Sequence, residues 1–166
     1  MAASPGKDAP EKILPELAGI MKKIRSISGM EKFDYSGVQI GSAIFAVKPG
    51  DGSAREQAAS CQRVLGGSAN FAREYATKRY RSNLINWGIL PFILEEDPRF
   101  KNGDYVFIPG ARSMIIDAKS SVTAYAITAD SVIPFSLSVP VLTQDEQKIV
   151  LDGCLINFNR NKLKGN

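Results

Sequence analysis

The chain has 166 residues, 44% apolar and 23% charged, with a formal net charge of +4 and a mean hydropathy of −0.10. This balance fits one folded domain with a genuine core and excludes a disordered chain; apolar stretches such as Val132 to Val141 fall well short of the ~20 residues a membrane span needs. Histidine is absent, which removes Ser-His-Asp catalysis, Cys-His catalysis and the commonest zinc ligand together.

The start, Met1 to Lys12, is rich in Ala, Pro, Gly and charge and lacks the apolar centre of a signal peptide. It is expected as a flexible segment or linker (1–12) ahead of a single domain over 13–166, with the cytoplasm as the default setting. Ile13, Leu14, Leu17, Ile20, Met21 and Ile24 recur at helical spacing and predict an amphipathic helix ending near Gly29. Val38 to Val47 predicts a strand, and Pro49-Gly50-Asp51-Gly52 forces a turn after it. Ser53 followed three residues later by Glu56 predicts a capping box opening a helix through Ala58, Ala59, Cys61, Val64 and Leu65, which Gly66-Gly67 closes.

Arg81 to Trp87 predicts a short helix stopped by Gly88, and Ile89 to Ile93 a buried strand around Pro91. Past Asp97-Pro98, Tyr105 to Ile108, Met114 to Ile116, Val122 to Ile127 and Val132 to Val139 read as short strands. Thr143 and Glu146 form a second capping box, opening a helix with Ile149, Val150 and Leu151 that breaks near Gly153.

Cys61 and Cys154 are too few for a disulfide framework or a four-cysteine metal site, and both are expected as reduced core thiols. Basic residues gather at Arg73 to Arg81, interleaved with Tyr75 and Tyr80, and at Arg160 to Lys164. A nucleic-acid surface is one reading of the first group; a solvated turn or interdomain face is the favoured one.

The turn from Lys48 to Ala59 carries the most chemical information. Its glycines let backbone approach a ligand and lead into a helix N-terminus, whose free N–H groups attract anions, and Arg55 adds a planar fork suited to a carboxylate. Neither GxxxxGK[ST] nor GxGxxG is present. The residues alone leave two readings open: an anion site, or Ser53 as a helix cap with Arg55 a solvated side chain.

The run Gly52-Ser53-Ala54-Arg55-Glu56-Gln57-Ala58-Ala59 resembles the Gly-Ser-Ser-Arg-Glu-His-Ala-Ala motif of the aconitase and isopropylmalate isomerase superfamily. Arg81-Ser82-Asn83-Leu84-Ile85-Asn86-Trp87-Gly88-Ile89-Leu90-Pro91-Phe92 is similar to that family's Asn-Leu, Gly-[Ile/Leu]-Leu-Pro block. Thr143 through Arg160 resembles the closing helix of aconitase chains, so the likeness runs from about Val38 to the C-terminus, nearest to the aconitase-like hydratases. Ala54 and Gln57 depart from the motif, replacing a serine that can contact a substrate carboxylate and a histidine.

The resemblance implies an α/β fold, the swivelling β/β/α domain of the aconitase C-terminal type, with a mixed or barrel-like sheet flanked by helices. It implies a hydro-lyase acting on a hydroxy-carboxylic acid, with Ser53 as base, Arg55 holding a substrate carboxylate, and Gly52 and Ala54 lining the substrate. Arg25 is the candidate for the family's upstream substrate-binding arginine. Tyr80, Arg81, Asn83 and Trp87 are assigned to packing and to shaping the turn. No cofactor or metal is expected on this chain; a [4Fe–4S] cluster is expected on a partner domain or large subunit, with no membrane and no nucleic acid among the partners. Two alternatives are a stand-alone small subunit of an isopropylmalate-isomerase-type heterodimer and a non-catalytic RNA-binding or regulatory module.

Overall fold

The computed structural model describes residues 16–35 and 38–164. In chain order these form α1 (Leu17–Arg25), β1 (Ser42–Ala46), α2 (Arg55–Val64), β2 (Gly67–Ala72), α3 (Lys78–Asn86), β3 (Leu90–Ile93), β4 (Tyr105–Phe107), α4 (Ala111–Ile116), β5 (Ser121–Ile127), β6 (Val132–Ser138), α5 (Gln144–Leu151) and α6 (Leu155–Lys164). The 1–12 segment, and Ile13 and Leu14 of the expected first helix, lie outside the described residues.

The residues gather into two compact units. The first takes the described residues up to Gln39 with Asp97–Pro109 and Thr123–Ser136. In it α1 buries Leu17, Met21 and Ile24, the four-and-three spacing that puts residues on one helix face. β4 pairs antiparallel with β5, Phe107 opposite Tyr125, and the Phe107 ring meets Phe33 edge-on with centroids 4.9 Å apart.

The second unit holds Ile40–Glu96, Gly110–Val122 and the described residues from Leu137. Here β1, β2 and β3 run parallel, with Phe45, Phe71 and Phe92 in register across them. The Phe71 and Phe92 rings stack at 5.8 Å. α2 packs on α3 through Ala59, Tyr80, Leu84 and Ile89, bordered by Tyr75 and Trp87. Leu84 and Ile89 are fully buried, each burial worth roughly 1.5–3 kcal/mol. Since β3 receives β6 antiparallel at Ile93 and Ser138, the strand order is β1-β2-β3-β6-β5-β4. The sheet is mixed and open; of the two sheet forms expected, the barrel-like one is not found.

Several expectations are corrected. β2 was not anticipated, because Gly67-Ser68-Ala69-Asn70-Phe71-Ala72 is composed of small and polar residues; as a central parallel strand it is nonetheless buried almost throughout. Met114 to Ile116 is the end of helix α4, not a strand: Met114 and Ile115 are both buried and Ile116 is exposed, a pattern that period-two alternation cannot produce. Cys61 is exposed and Cys154 half-buried, so neither is a core thiol; on α2 the buried stripe is Ala59 and Gln62, and Cys61 lies off it. The basic tail forms α6, an element the composition of 155–164 did not announce. The Thr143–Glu146 capping box is present in full. Among the described residues no helix is long and apolar enough to cross a membrane.

Candidate functional site

The loop after β1 and the loop after β2 lie side by side at the carboxyl ends of parallel strands, the edge where open α/β sheets bind ligands. Val47 accepts hydrogen bonds at its carbonyl from the Arg73 and Glu74 amides (3.1 and 3.2 Å), and Pro49 from the Ala76 amide (2.9 Å). Lys48 and Glu74 add an exposed ion pair at 2.7 Å, and the Glu74 carboxylate raises the Lys48 ammonium pKa above its usual value.

Gly50 is the pivot of the first loop. Its φ of +95° suits glycine, and a β-carbon there would fall 2.5 Å from Tyr80 Cβ, so the loop sits directly on the Tyr80 ring. The Gly50 carbonyl accepts from Thr77 Oγ1 (3.1 Å) and from Arg55 Nε (3.0 Å). Thr77 also caps α3 by accepting from the Tyr80 amide.

Gly52, Ser53 and Ala54 follow, all exposed. Ser53 does not cap α2. Ala54 is the N-cap residue and no side chain caps the helix; Glu56, the other half of the expected box, accepts instead from Trp87 Nε1 at 3.0 Å. Ala54 makes no side-chain cap bond, and the first-turn amides of α2 stand at the positive end of a ten-residue helix. The Ser53 hydroxyl also stands without a hydrogen bond among the described residues.

Arg55 is not a loose side chain. Nε donates to the Gly50 carbonyl and Nη2 to the Asp51 carbonyl at 3.2 Å. These bonds occupy one edge of the guanidinium and hold the loop's shape. The distal Nη1–Nη2 edge keeps donors for a planar acceptor such as a carboxylate.

Gly52, Ser53, Ala54 and Arg55 are thus brought together on one loop of the second unit. Arg25 belongs to the first unit, where Nε donates to the Phe33 carbonyl at 2.9 Å and ties the end of α1 to the following loop. In the basic segment, the Tyr80 ring is buried and Tyr75 donates its hydroxyl to the Asn70 and Phe92 carbonyls (3.3 and 3.2 Å). Tyr80 belongs to the core cluster and Tyr75 packs half-buried against it. Burial raises the pKa of both phenols, strongly for Tyr75. Arg81 reaches the Val141 carbonyl (2.7 Å) and Glu146 (3.4 Å), joining α3 to the start of α5.

Sequence reasoning passed over Asn70 and Gln62. Asn70 donates from Nδ2 to the Tyr80 hydroxyl at 3.1 Å and accepts at Oδ1 from Gln62 Nε2, which also donates to the Ala69 carbonyl at 3.3 Å. The one available signal was an asparagine inside a run of small residues, which the missed strand concealed.

The described residues do not fit as ligands of an iron–sulfur cluster. Among the described residues no three His, Cys, Asp or Glu side chains gather, and such clusters are held by sets of thiolates.

The family model described as the aconitase C-terminal domain matches residues 30–97. The matched stretch spans β1, the Gly50–Arg55 loop, α2, β2, α3 and β3 and ends before Thr143–Arg160. No curated protein matches the chain.

Proposed function

We propose, from the match of residues 30–97 to the aconitase C-terminal domain model, that this chain supplies the proton-handling and carboxylate-binding half of an aconitase-like hydro-lyase site acting on a hydroxy-carboxylic acid. The observation that carries the reading is the exposed Ser53 beside the start of α2, two residues from a guanidinium held by Nε and Nη2 on the Gly50 and Asp51 carbonyls.

Removing a proton from the carbon beside a carboxylate needs a base whose developing charge is stabilised where it forms. A serine hydroxyl is too weak an acid to ionise alone. The α2 N-terminus and Arg55 both favour negative charge at position 53, and the same charges draw the substrate's carboxylate to the loop. Arg55 holds that carboxylate by its Nη1–Nη2 edge while its other edge, fixed on Gly50 and Asp51, prevents the fork from swinging away. Gly52 and Ala54 carry no bulk that would keep a substrate from the Ser53 hydroxyl. In this reading, departure of the substrate's hydroxyl falls to a partner, a cluster-bearing domain or large subunit.

The reading is tested in the assembled enzyme with Ser53→Ala. The variant should bind hydroxy acid yet fail to exchange the substrate's α-proton with deuterium from solvent. Exchange at near wild-type rate would remove Ser53 from the chemistry.

A further inference from the structure

Asn70 and Gln62 are the buried polar side chains of the described chain, 2% and 6% exposed. Burying an amide is unfavourable unless hydrogen bonds replace its water, and a half-satisfied pair is worse than an apolar one. The pair here is not fully satisfied, since Gln62 Oε1 is buried without a partner. A leucine at 70 and another at 62 would serve a purely structural core better. The two amides do, however, join three parts of the site. Gln62 lies on the buried face of α2, the helix that begins at Arg55; Asn70 lies on central strand β2; Tyr80, held by the Asn70 amide, carries the ring on which Gly50 rests.

We propose that Asn70 is a positioning residue of the Ser53 loop: by fixing the Tyr80 hydroxyl on one side and the Gln62 amide on the other, it sets the loop and the α2 N-terminus in one relative placement. The proposal rests on the reading of Ser53 and Arg55 as the reactive pair. Arg55 lies only five residues beyond Gly50 and is bonded back to it, so a rotation of the Tyr80 ring moves the guanidinium and, through the chain, Ser53. Neither Asn70 nor Tyr80 is asked to touch substrate.

The loop's placement is reported by two backbone bonds that depend on it, Ala76 N–H to the Pro49 carbonyl and Ala58 N–H to the Ala54 carbonyl, with Leu94 N–H to the Ala72 carbonyl as an internal control. Hydrogen exchange would be measured at these amides in the full chain for Tyr80→Phe, which keeps the ring on Gly50, and for Asn70→Leu. Exchange at Ala76 and Ala58 should quicken roughly three- to tenfold, the scale of one lost buried hydrogen bond, with Leu94 unchanged. In the assembled enzyme kcat should fall by a similar or larger factor while KM holds. Tyr105→Phe, which deletes a hydroxyl of the first unit bonded to Glu16, should leave both readouts alone. Unchanged loop exchange in both variants, faster loop exchange with kcat intact, or an equal loss in Tyr105→Phe would each overturn the proposal. A wild-type enzyme without hydro-lyase turnover would refute the catalytic reading on its own, and the exchange data would then decide the anchoring by themselves.

Discussion

Gly50 and Tyr80 are in contact so close that position 50 has no room for a side chain: a β-carbon would lie 2.5 Å from Tyr80 Cβ and 2.6 Å from the ring. Gly50→Ala therefore combines a steric clash with a backbone of positive φ. We expect a loss of about 2–4 kcal/mol in stability, read by denaturant unfolding. A loss under about 0.5 kcal/mol would mean that the loop leaves the ring without difficulty.

Ser53→Ala separates capping from chemistry. With Ala54 as the N-cap and no side-chain cap bond, the substitution should change stability by less than about 0.5 kcal/mol, the range of an uninvolved surface site. Loss of a general base should lower kcat by roughly 10²- to 10⁴-fold in the same protein. A stability loss near 1 kcal/mol with turnover intact would return Ser53 to the role of a helix cap.

Arg55→Lys keeps the charge and removes the planar fork. A lysine ammonium cannot hold the Gly50 and Asp51 carbonyls and present a second edge at the same time. kcat/KM should fall on the order of 10²-fold, measured by steady-state kinetics across substrate concentrations. Kinetics equal to wild type would show that the guanidinium holds only the loop.

Alkaline stability should be governed by the buried phenols. Tyr75 and Tyr80 have pKa values raised by burial above the ordinary value of 10, so the unfolded chain releases these protons first. Their contribution is complete below pH 10 and is lost as pH rises above it, at up to about 1.4 kcal/mol per pH unit for each phenol. Denaturant titrations from pH 9 to 11.5 should show stability falling above pH 10, with a shallower slope in Tyr75→Phe. A slope identical in the variant would detach Tyr75 from the effect.

The sequence by itself determined the parts that depend on neighbours in the chain. The spacing of Leu17, Met21 and Ile24 placed α1, Thr143 and Glu146 placed the start of α5, and Pro49 to Gly52 placed the turn, because amphipathic spacing, caps and turns are local physics. The Gly52-Ser53-Ala54-Arg55 run also resembled the family whose C-terminal domain model matches residues 30–97. Tertiary structure alone decided the rest. β2 exists because β1 and β3 cover it, not because its small residues favour a strand. Glu56 turned to Trp87, thirty-one residues away, in place of the Ser53 cap. Arg55 took its orientation from two loop carbonyls, and Asn70 its partners from α2 and α3. In each case two or more geometries were open to the local sequence, and a contact between distant residues selected one: short-range preferences are worth a few tenths of a kcal/mol, roughly, and a buried hydrogen bond or packed ring about one or more.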